Sequence, residues 1–408
     1  MILIKAKPIK YILAVIFMFF SFCPAMAIDE TADTEQSVNE GSAIYLDAPP
    51  KDLKDTIKGS VSENSKNDKE SIKKTKRQNP LNLFREQGYQ FEKGPIKSQR
   101  ITFFTHSAVA MDAQRDKDFG SHIENVANEL IFTTLFADEK TRLDISYNFT
   151  RSREHNKTIW GKITQFEVTH TFNEHQTLKI GDTRLPNGYE GGSPSSKLNF
   201  VTRSQIARNF GNSIAVGVRN QGNYKYLNYD IAFSDGSRFL QGMLGGAEAT
   251  ALVSLKPLAD FGDKYGNLKI GGSIDHGRSH SMDFTVVGGH LMYNYKNFYW
   301  ETEYQFANNY AGSWYNRGKA HGLYSAVRYF VTPKIEVLAR YDFFQKLADH
   351  HITTEYTVGA NYHINPVTKL MLNYVIATNS KNSAPSHRVY MGIDIKYFSL
   401  VDKLFELL

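Results

Sequence analysis

Apolar and polar residues alternate along the chain from Gln99 to Phe398, in stretches of about ten residues that are separated by turn residues. The last stretch places five apolar side chains on one face of an extended strand: Val389, Met391, Ile393, Ile395 and Tyr397. The other face carries Arg388, Tyr390, Gly392, Asp394 and Lys396. A strand with this pattern has one face in an apolar medium and the other face in water.

The pattern recurs about sixteen times, and it predicts an all-β fold: a transmembrane antiparallel β-barrel of about 16 strands with a polar lumen. An even number of strands returns both chain ends to the periplasmic side, as in bacterial barrels. Pro333 and Pro366 end two similar stretches and are predicted to lie in short turns on that side, because proline cannot donate to the strand ladder. A barrel of this width is usually a pore.

Residues 1–27 predict an export signal. Three lysines precede an apolar segment, Tyr11–Phe22, which is too short to span a bilayer, and Ala25–Ala27 forms a small-residue cleavage site. The chain's one cysteine, Cys23, would leave with this signal, so neither a disulfide nor a thiolate metal site is expected. Export and the barrel pattern together predict the outer membrane of a Gram-negative-type bacterium, with outer-membrane lipid around the strands.

The barrel region, residues 99–398, is flanked by two segments of different composition. Residues 28–98 are rich in Asp, Glu, Lys, Ser, Asn and Thr, so we expect a polar, disordered periplasmic segment. Residues 399–408 form a short C-terminal extension, whose leucine and phenylalanine residues recur at near-helical spacing.

The chain carries a formal net charge of +6, and its pI is near 9.0. The barrel region holds most of this excess, with 32 Lys and Arg against 27 Asp and Glu. A basic chain can bind nucleic acid, but an exported barrel makes small anions the expected partner, and no nucleic-acid partner is expected. The mean hydropathy of −0.41 is compatible with a membrane barrel, because half of each strand faces the lumen.

The third outer connection, Pro186–Asn212, is the longest and the most basic one. Lys197, Arg203 and Arg208 lie within it and Arg184 lies at the strand end before it, against the single acid Glu190. A connection of this length is usually functional. We predict that it folds into the lumen, narrows the pore and attracts small anions such as phosphate, whose oxygens suit arginine's planar fork.

Alternation along the strands predicts which charged side chains line the pore. The predicted basic lining residues are Lys162, Arg219, Arg328 and Arg340, of which Arg219 is also assigned to the constriction. The predicted acidic ones include Glu301, Glu303 and Glu336, with Asp342 and Glu355 beside them. Direct contact with solutes and mutual salt bridges that stiffen the wall are both open interpretations.

Other chemistry has less support. His276 and His280 with Asp275 have a spacing that a metal ion can use, but no tetrahedral ligand set surrounds them, and we expect no metal and no cofactor. The Gly-x-Ser-x-Gly elbow of lipolytic hydrolases is absent from the sequence. We therefore expect a channel rather than an enzyme.

Three segments around this connection, Leu178–Glu190, Leu198–Ser204 and Arg208–Gly211, resemble the phosphate-selective porin O and P family. In that family a glycine-containing strand end leads to a Phe-x-x-Arg element and then to an Arg-x-x-Gly element. The resemblance extends from Gln99 to the C terminus and is most specific in these segments. It implies a trimeric outer-membrane pore with an inward loop and basic residues along an anion path.

By that resemblance, Arg203 and Arg208 occupy the positions of the family's recurring arginines, and Arg184 replaces the basic residue near the strand end. Asp182-Thr183 and Asn187 depart from the family pattern. These departures bear on phosphate selectivity and leave the predicted fold unchanged.

The sequence therefore predicts an outer-membrane porin that passes small hydrophilic solutes passively and prefers anions. Two alternatives remain open. One is a general or sugar-type porin without anion specificity, in which the luminal aromatic residues Tyr299 and Tyr324 would stack on sugar rings. The other is a structural barrel or adhesin.

Overall fold

A computed structural model gives the fold of the barrel region. The structure describes residues 89–90, 94–114, 120–154, 157–211, 213–235, 246–279, 282–309, 318–348, 350–381 and 384–398. The predicted signal, almost all of the predicted periplasmic segment and the C-terminal extension lie outside the described residues.

The described residues form one antiparallel sheet of seventeen strands. The strands are β1 (Tyr89–Gln90), β2 (Ile96–Gln114), β3 (Gly120–Phe136), β4 (Thr141–Glu154), β5 (Lys157–Asn173), β6 (Gln176–Arg184), β7 (Ile214–Asn223), β8 (Leu227–Ser234), β9 (Glu248–Leu255), β10 (Asn267–Ser279), β11 (Met282–Tyr295), β12 (Phe298–Asn308), β13 (Lys319–Thr332), β14 (Ile335–Lys346), β15 (His351–Asn365), β16 (Thr368–Asn379) and β17 (Ser386–Phe398). Two short helices, α1 (Gln205–Phe210) and α2 (Gly262–Tyr265), lie between strands.

The sheet closes on itself and forms a barrel. Strands β2 to β17 each pair with the next strand along the chain, and β17 returns to pair with β2, from Ser386 opposite Gln114 to Phe398 opposite Thr102. The two-residue β1 adds to β2. The predicted barrel of about 16 antiparallel strands is therefore confirmed.

The largest difference concerns the first hairpin, which is longer than expected. Strand β3 starts at Gly120, whereas the alternation predicts a start near Ala127, because the register shifts between His106 and Ser107. A β-bulge of this kind inverts the apparent alternation along the sequence without ending the strand.

The alternation gives the barrel its two faces. On β14, Leu338, Arg340 and Asp342 point inward and are buried, while Val337 and Ile335 point outward and are exposed. Large apolar side chains recur at outward positions of most strands, where a bilayer would cover them. Polar and charged side chains occupy the inward positions.

One end of the barrel carries the short turns. Pro333 lies in the turn between β13 and β14, and Pro366 lies in the turn between β15 and β16, as predicted. The opposite end carries the long connections and is called the long-loop end. Strands β6 to β9 have only 8 to 10 residues. The barrel wall is therefore shorter on the side where the longest connection begins.

Helices contribute little to the described part of the chain. In that part, no helix has both the length and the apolar character needed to cross a membrane.

Lysine in place of Val358 should test the outward face. Val358 lies at the middle of β15, and its side chain is 54% exposed. A lysine at the bilayer midplane costs about 2–4 kcal/mol, so Val358→Lys should lower the urea midpoint of unfolding in lipid vesicles. Val358→Leu is the control and should keep the parent's midpoint. Equal midpoints for both variants would contradict the assigned face.

Candidate functional site

The inner loop, residues 185–213, connects β6 to β7. It contains a 3₁₀ turn at Ser195–Lys197 and then α1, whose first turn is capped by Ser204: the Ser204 hydroxyl accepts a hydrogen bond from the Ala207 N–H at 3.3 Å. Among residues 185–211, Lys197 alone is exposed. A connection lying on the outside would expose many side chains, so this burial indicates a loop packed inside the barrel.

The inner loop first meets β12. The Glu303 carboxylate accepts hydrogen bonds from the N–H groups of Tyr189 at 2.7 Å and Glu190 at 3.2 Å. Gly188 permits this approach, because its φ is +75° and a Cβ at this position would overlap Glu303 and Gln305. Glu303, predicted to line the pore, is used to hold the loop backbone.

The middle of the loop lies against β13, β14 and β15. Arg328 donates from Nη1 to Asn199 Oδ1 at 3.0 Å, and Asn361 donates from Nδ2 to the Asn199 carbonyl at 2.9 Å. Glu336 joins these two residues, since its carboxylate accepts from Arg328 and from Asn361, each at 2.8 Å. Arg328 and Glu336 face inward as predicted, and they form one network beneath the loop.

The loop then reaches β16 and β2, and β2 is one of the two strands whose pairing closes the barrel. Lys369 donates from Nζ to the Leu198 carbonyl at 2.9 Å, and the Val201 N–H donates to Asn373 Oδ1 at 2.8 Å. The Val201 carbonyl lies 3.0 Å from His106 Nε2 on β2. The loop thus leaves the barrel wall at β6 and spans the lumen to β2.

Arg340 makes the most extensive single attachment. Its guanidinium donates to the carbonyls of Thr202 at 2.9 Å and Arg203 at 3.2 Å, and to the Asp342 carboxylate at 2.6 Å. The guanidinium carbon also lies 4.5 Å from the centroid of the Phe200 ring. Arg340 was predicted to line the pore, but at this position it clamps the loop to β14.

An apolar cluster completes the attachment. Residues of the loop and of α1 pack against inward side chains of β11 to β14: Phe200, Ile206, Phe210, Val286, Ala307, Ala320, Tyr324, Ala326, Leu338 and Phe344. Tyr324 is only 1% exposed within this cluster. It is therefore not available to stack on a solute ring, as the sugar-porin alternative requires.

Arg203, a predicted anion-binding residue, is fully buried. Its guanidinium donates to the carbonyls of Glu190 at 2.7 Å and Ser193 at 2.8 Å, and to Ser195 Oγ at 3.3 Å. These bonds fold the first half of the loop onto itself, so Arg203 is placed to shape the loop instead of facing the lumen.

Arg208 lies on α1 and is partly exposed. It pairs with Glu355 on β15, with 2.6 Å between Nη2 and Oε2. Burial opposes the charge of this guanidinium, but the carboxylates of Glu355 and Asp342 outweigh that effect and raise the pKa of Arg208 above its ordinary value. Arg208 therefore stays charged and fixes α1 to the wall.

Arg184 and Arg219 lie together at the start of the loop, and both are buried. Arg219 pairs with Asp230 on β8, with its Nε 2.7 Å from Oδ1, and it also donates to the Arg184 carbonyl. Of these two predicted constriction residues, Arg219 ties the strand end from which the loop leaves, at the Arg184 carbonyl, to Asp230 on β8.

The remaining predicted residues differ in their positions. Lys197 is exposed and borders both of the cavities next to the loop, and Glu301 on β12 also borders both. Lys162 belongs to β5, but its side chain lies outside the described part of the structure.

Two cavities flank the inner loop. The smaller cavity, about 400 Å³, lies between the loop and β12 to β17; its charged lining residues are Lys197, Arg328, Lys369, Lys396, Glu190, Glu301 and Asp394. The larger cavity, about 940 Å³, lies on the other side of the loop and toward the short turns; its charged lining residues are Lys197, Arg219, Lys225, Lys256, Lys269, Arg328, Glu174, Asp230 and Glu301. The larger cavity is thus lined by six basic and three acidic residues.

Sequence reasoning missed several of these lining lysines. Lys269 follows the inward alternation of β10 and Lys369 that of β16, but the same alternation selects many other charged residues. What distinguishes the two is tertiary: Lys369 donates to the Leu198 carbonyl of the loop, and Lys269 borders the larger cavity beside the loop. Both depend on how the loop crosses the barrel.

The group of His276, His280 and Asp275, whose spacing alone would suit a metal ion, is not assembled in the described residues. Asp275 points inward and is buried, whereas His276 points outward from the same strand, and His280 lies outside the described part. In that part of the chain, no three His, Cys, Asp or Glu side chains are placed to hold a metal ion.

A closed barrel of sixteen strands with a loop packed across its lumen is the architecture of outer-membrane porins, and the family match and the solved structures below support that class for this protein. The family model of the phosphate-selective porins O and P matches residues 253–394. This match confirms the resemblance to that family over the second half of the barrel; the motifs at Leu178–Gly211 lie outside the matched range. The family match and the fold place the chain in the outer membrane of a Gram-negative bacterium, and both indicate a channel rather than an enzyme.

Solved porin structures share the fold. The outer membrane channel DcaP of Acinetobacter baumannii is 13% identical, with a TM-score of 0.54 over 76% of this chain and 100% of that one. An anion-selective porin from Comamonas acidovorans is 11% identical, with a TM-score of 0.53 over 74% and 99%. OmpF of Salmonella typhi is 10% identical, with a TM-score of 0.54 over 74% and 97%. No curated protein matches the chain.

Methionine in place of Arg340 should release the loop. Arg340→Met leaves Asp342 and two loop carbonyls without their partner, and breaking a buried ion pair in this way costs about 3–5 kcal/mol. We expect a larger and noisier single-channel conductance in planar bilayers.

The matched control is Arg388→Met, because the ion-pair partners of Arg388 in the described structure are wall carboxylates, Asp112 at 3.0 Å and Glu355 at 3.9 Å, and it has no hydrogen bond to the loop there. A quiet, parental conductance for Arg340→Met would contradict the proposed clamp.

Proposed function

We propose that this porin passes small hydrophilic solutes passively and prefers anions. The observation that carries the proposal is the lining of the larger cavity, which has six basic and three acidic residues. Arg219 is paired with Asp230 and Arg328 with Glu336, so the basic excess is carried by lysines, Lys197, Lys256 and Lys269 among them. Walls of low dielectric constant focus the field of such residues into the water-filled space, which raises the local concentration of anions.

Lys197 is the residue we assign to direct solute contact. It is exposed, it lies on the 3₁₀ turn of the inner loop, and it borders both cavities. In this account Arg203, Arg208 and Arg219 position the loop, because their guanidinium groups are engaged by loop oxygens or wall carboxylates. Arg184 contributes through its backbone carbonyl, which accepts from Arg219.

Inorganic phosphate is one anion that suits this lining. Lysine ammonium groups bind phosphate as compact point charges. The description of the matched family, phosphate-selective, and the name of the anion-selective porin from Comamonas acidovorans support the same choice by analogy.

Glutamine in place of Lys197 should reduce anion preference. Removing this charge should shift the zero-current potential in a KCl gradient toward the value of a cation-selective channel. It should also weaken the block of chloride current by millimolar phosphate. Lys140→Gln is the matched control, because Lys140 is exposed in the turn between β3 and β4 and borders neither cavity. Equal potentials for the two variants would rule out Lys197 as a selectivity residue, and a cation-selective parent would rule out the proposed preference.

We also propose a homotrimer that covers the outer face of β2 and β3. Thr105 and Ser107 on β2 point outward near the middle of the strand, and both hydroxyls are hydrogen-bonded to Asn128 Oδ1 on β3. A polar group costs free energy in hydrocarbon, so a packed subunit interface is a better environment for this cluster than lipid is.

Tryptophan in place of Asn128 should weaken the oligomer. A bulky side chain fits a lipid-facing position and does not fit a packed interface, so Asn128→Trp should run as a monomer on gels of unheated detergent extract. Ile274→Trp, on the outward face of β10, should keep the parent's oligomer. An unchanged oligomer for Asn128→Trp would contradict the assigned interface.

A further inference from the structure

The larger cavity has a wall of carboxamide side chains, which we call the amide wall. These residues are neutral, can both donate and accept hydrogen bonds, and border the cavity from β7, β8, β10 and β11: Gln221, Asn223, Asn228, Asn267 and Asn294. A lining selected only for attracting anions has no need of hydrogen-bond acceptors, so the amide wall requires another explanation.

The strand register places four of the five amide-wall residues in two rows around the barrel, while Gln221 lies opposite Asp230. In one row, Asn223 lies opposite Asn228, which in turn lies opposite Ser254 on β9. In the other row, Asn267 lies opposite Asn294. The rows are set on rigid strands and share the inward face.

The second row continues from the amides into an aromatic ring and a cation. Asn294 lies opposite Tyr299 on β12, and Tyr299 lies opposite Arg328 on β13. The Arg328 guanidinium carbon is 4.7 Å from the centroid of the Tyr299 ring, a distance that fits a cation–π contact. This contact holds the ring at the edge of the cavity.

One amide of the wall has an acceptor that no described residue uses. Asn228 Oδ1 is buried and has no hydrogen-bond partner among the described residues. An unpaired buried acceptor is costly and is satisfied by a donor. Chloride offers no donor and a phosphate ion offers at most two, whereas every hydroxyl group of a sugar offers one.

We propose that the larger cavity binds phosphorylated sugars. The amide wall would pair with sugar hydroxyls, the face of Tyr299 turned away from Arg328 would pack on the sugar ring, and Lys197 and Lys269 would meet the phosphate. A cavity of about 940 Å³ is within the size range of small-molecule sites. This inference rests on the proposed anion preference and adds the hydroxylated part of the solute to it.

The test compares three solutes as blockers of chloride current through the whole porin in planar bilayers: glucose 6-phosphate, inorganic phosphate and glucose. One or two additional neutral hydrogen bonds are worth about tenfold in binding. We therefore expect half-block by glucose 6-phosphate at a concentration about tenfold lower than for phosphate, with glucose weaker than both.

Leucine in place of Asn228 isolates the amide wall. Asn228→Leu should raise the half-block concentration of glucose 6-phosphate several-fold and leave that of phosphate unchanged. The matched control is Asn220→Leu, because Asn220 is an asparagine on the outward face of β7, next to Gln221. If Asn228→Leu does not assemble, the parent protein tests the inference by itself, through the ratio of the half-block concentrations of phosphate and glucose 6-phosphate.

The outcomes separate this inference from the proposed function. An anion-selective channel that glucose 6-phosphate and phosphate block equally would overturn the sugar-phosphate site and leave the anion preference standing. Block by glucose as strong as block by glucose 6-phosphate would also overturn it, in favour of a neutral-sugar site. A cation-selective channel would overturn the proposed function, and this inference with it.

Discussion

The pairing of β17 with β2 is the constraint on which the rest of the structure depends. Without it, both strands would present unpaired N–H and C=O groups to hydrocarbon, where each unsatisfied group costs several kcal/mol. The pairing runs over the whole of β17, from Ser386 to Phe398. The closed sheet has an inside and an outside, so every second side chain points into the lumen. The lumen must therefore accommodate the charged side chains among them.

The inner loop and the wall satisfy each other's polar groups. Its backbone groups are buried and need partners, and the wall supplies charged and amide side chains such as Glu303, Arg340 and Asn361. The wall charges are in turn neutralised by one another and by the loop's dipoles. Residues that sequence reasoning assigns to solute contact therefore serve mainly to position the loop, and the task of selecting solutes passes to side chains that face the cavities, such as Lys197.

The fold could be predicted from the sequence because alternation is a local signal, and Pro333 and Pro366 mark turns by a local property, the missing N–H. The site could be predicted only in part. Charge and length single out the loop, and they do not distinguish the exposed Lys197 from Arg203, which is fully buried. That difference depends on Ser193 and Ser195 turning back toward the guanidinium, which is a tertiary contact within the loop.

The central claim is that the inner loop lies across the lumen against the far wall. A Cβ built on Gly392 of β17 would lie 3.3 Å from Val201 Cγ2 of the loop, which is close enough for two cysteines to be bridged. The direct measurement is disulfide formation between Val201→Cys and Gly392→Cys, in a Cys23→Ser background, in isolated outer membranes. The account predicts a disulfide and a single-channel conductance equal to the parent's. Two free, reactive thiols after oxidation would contradict it.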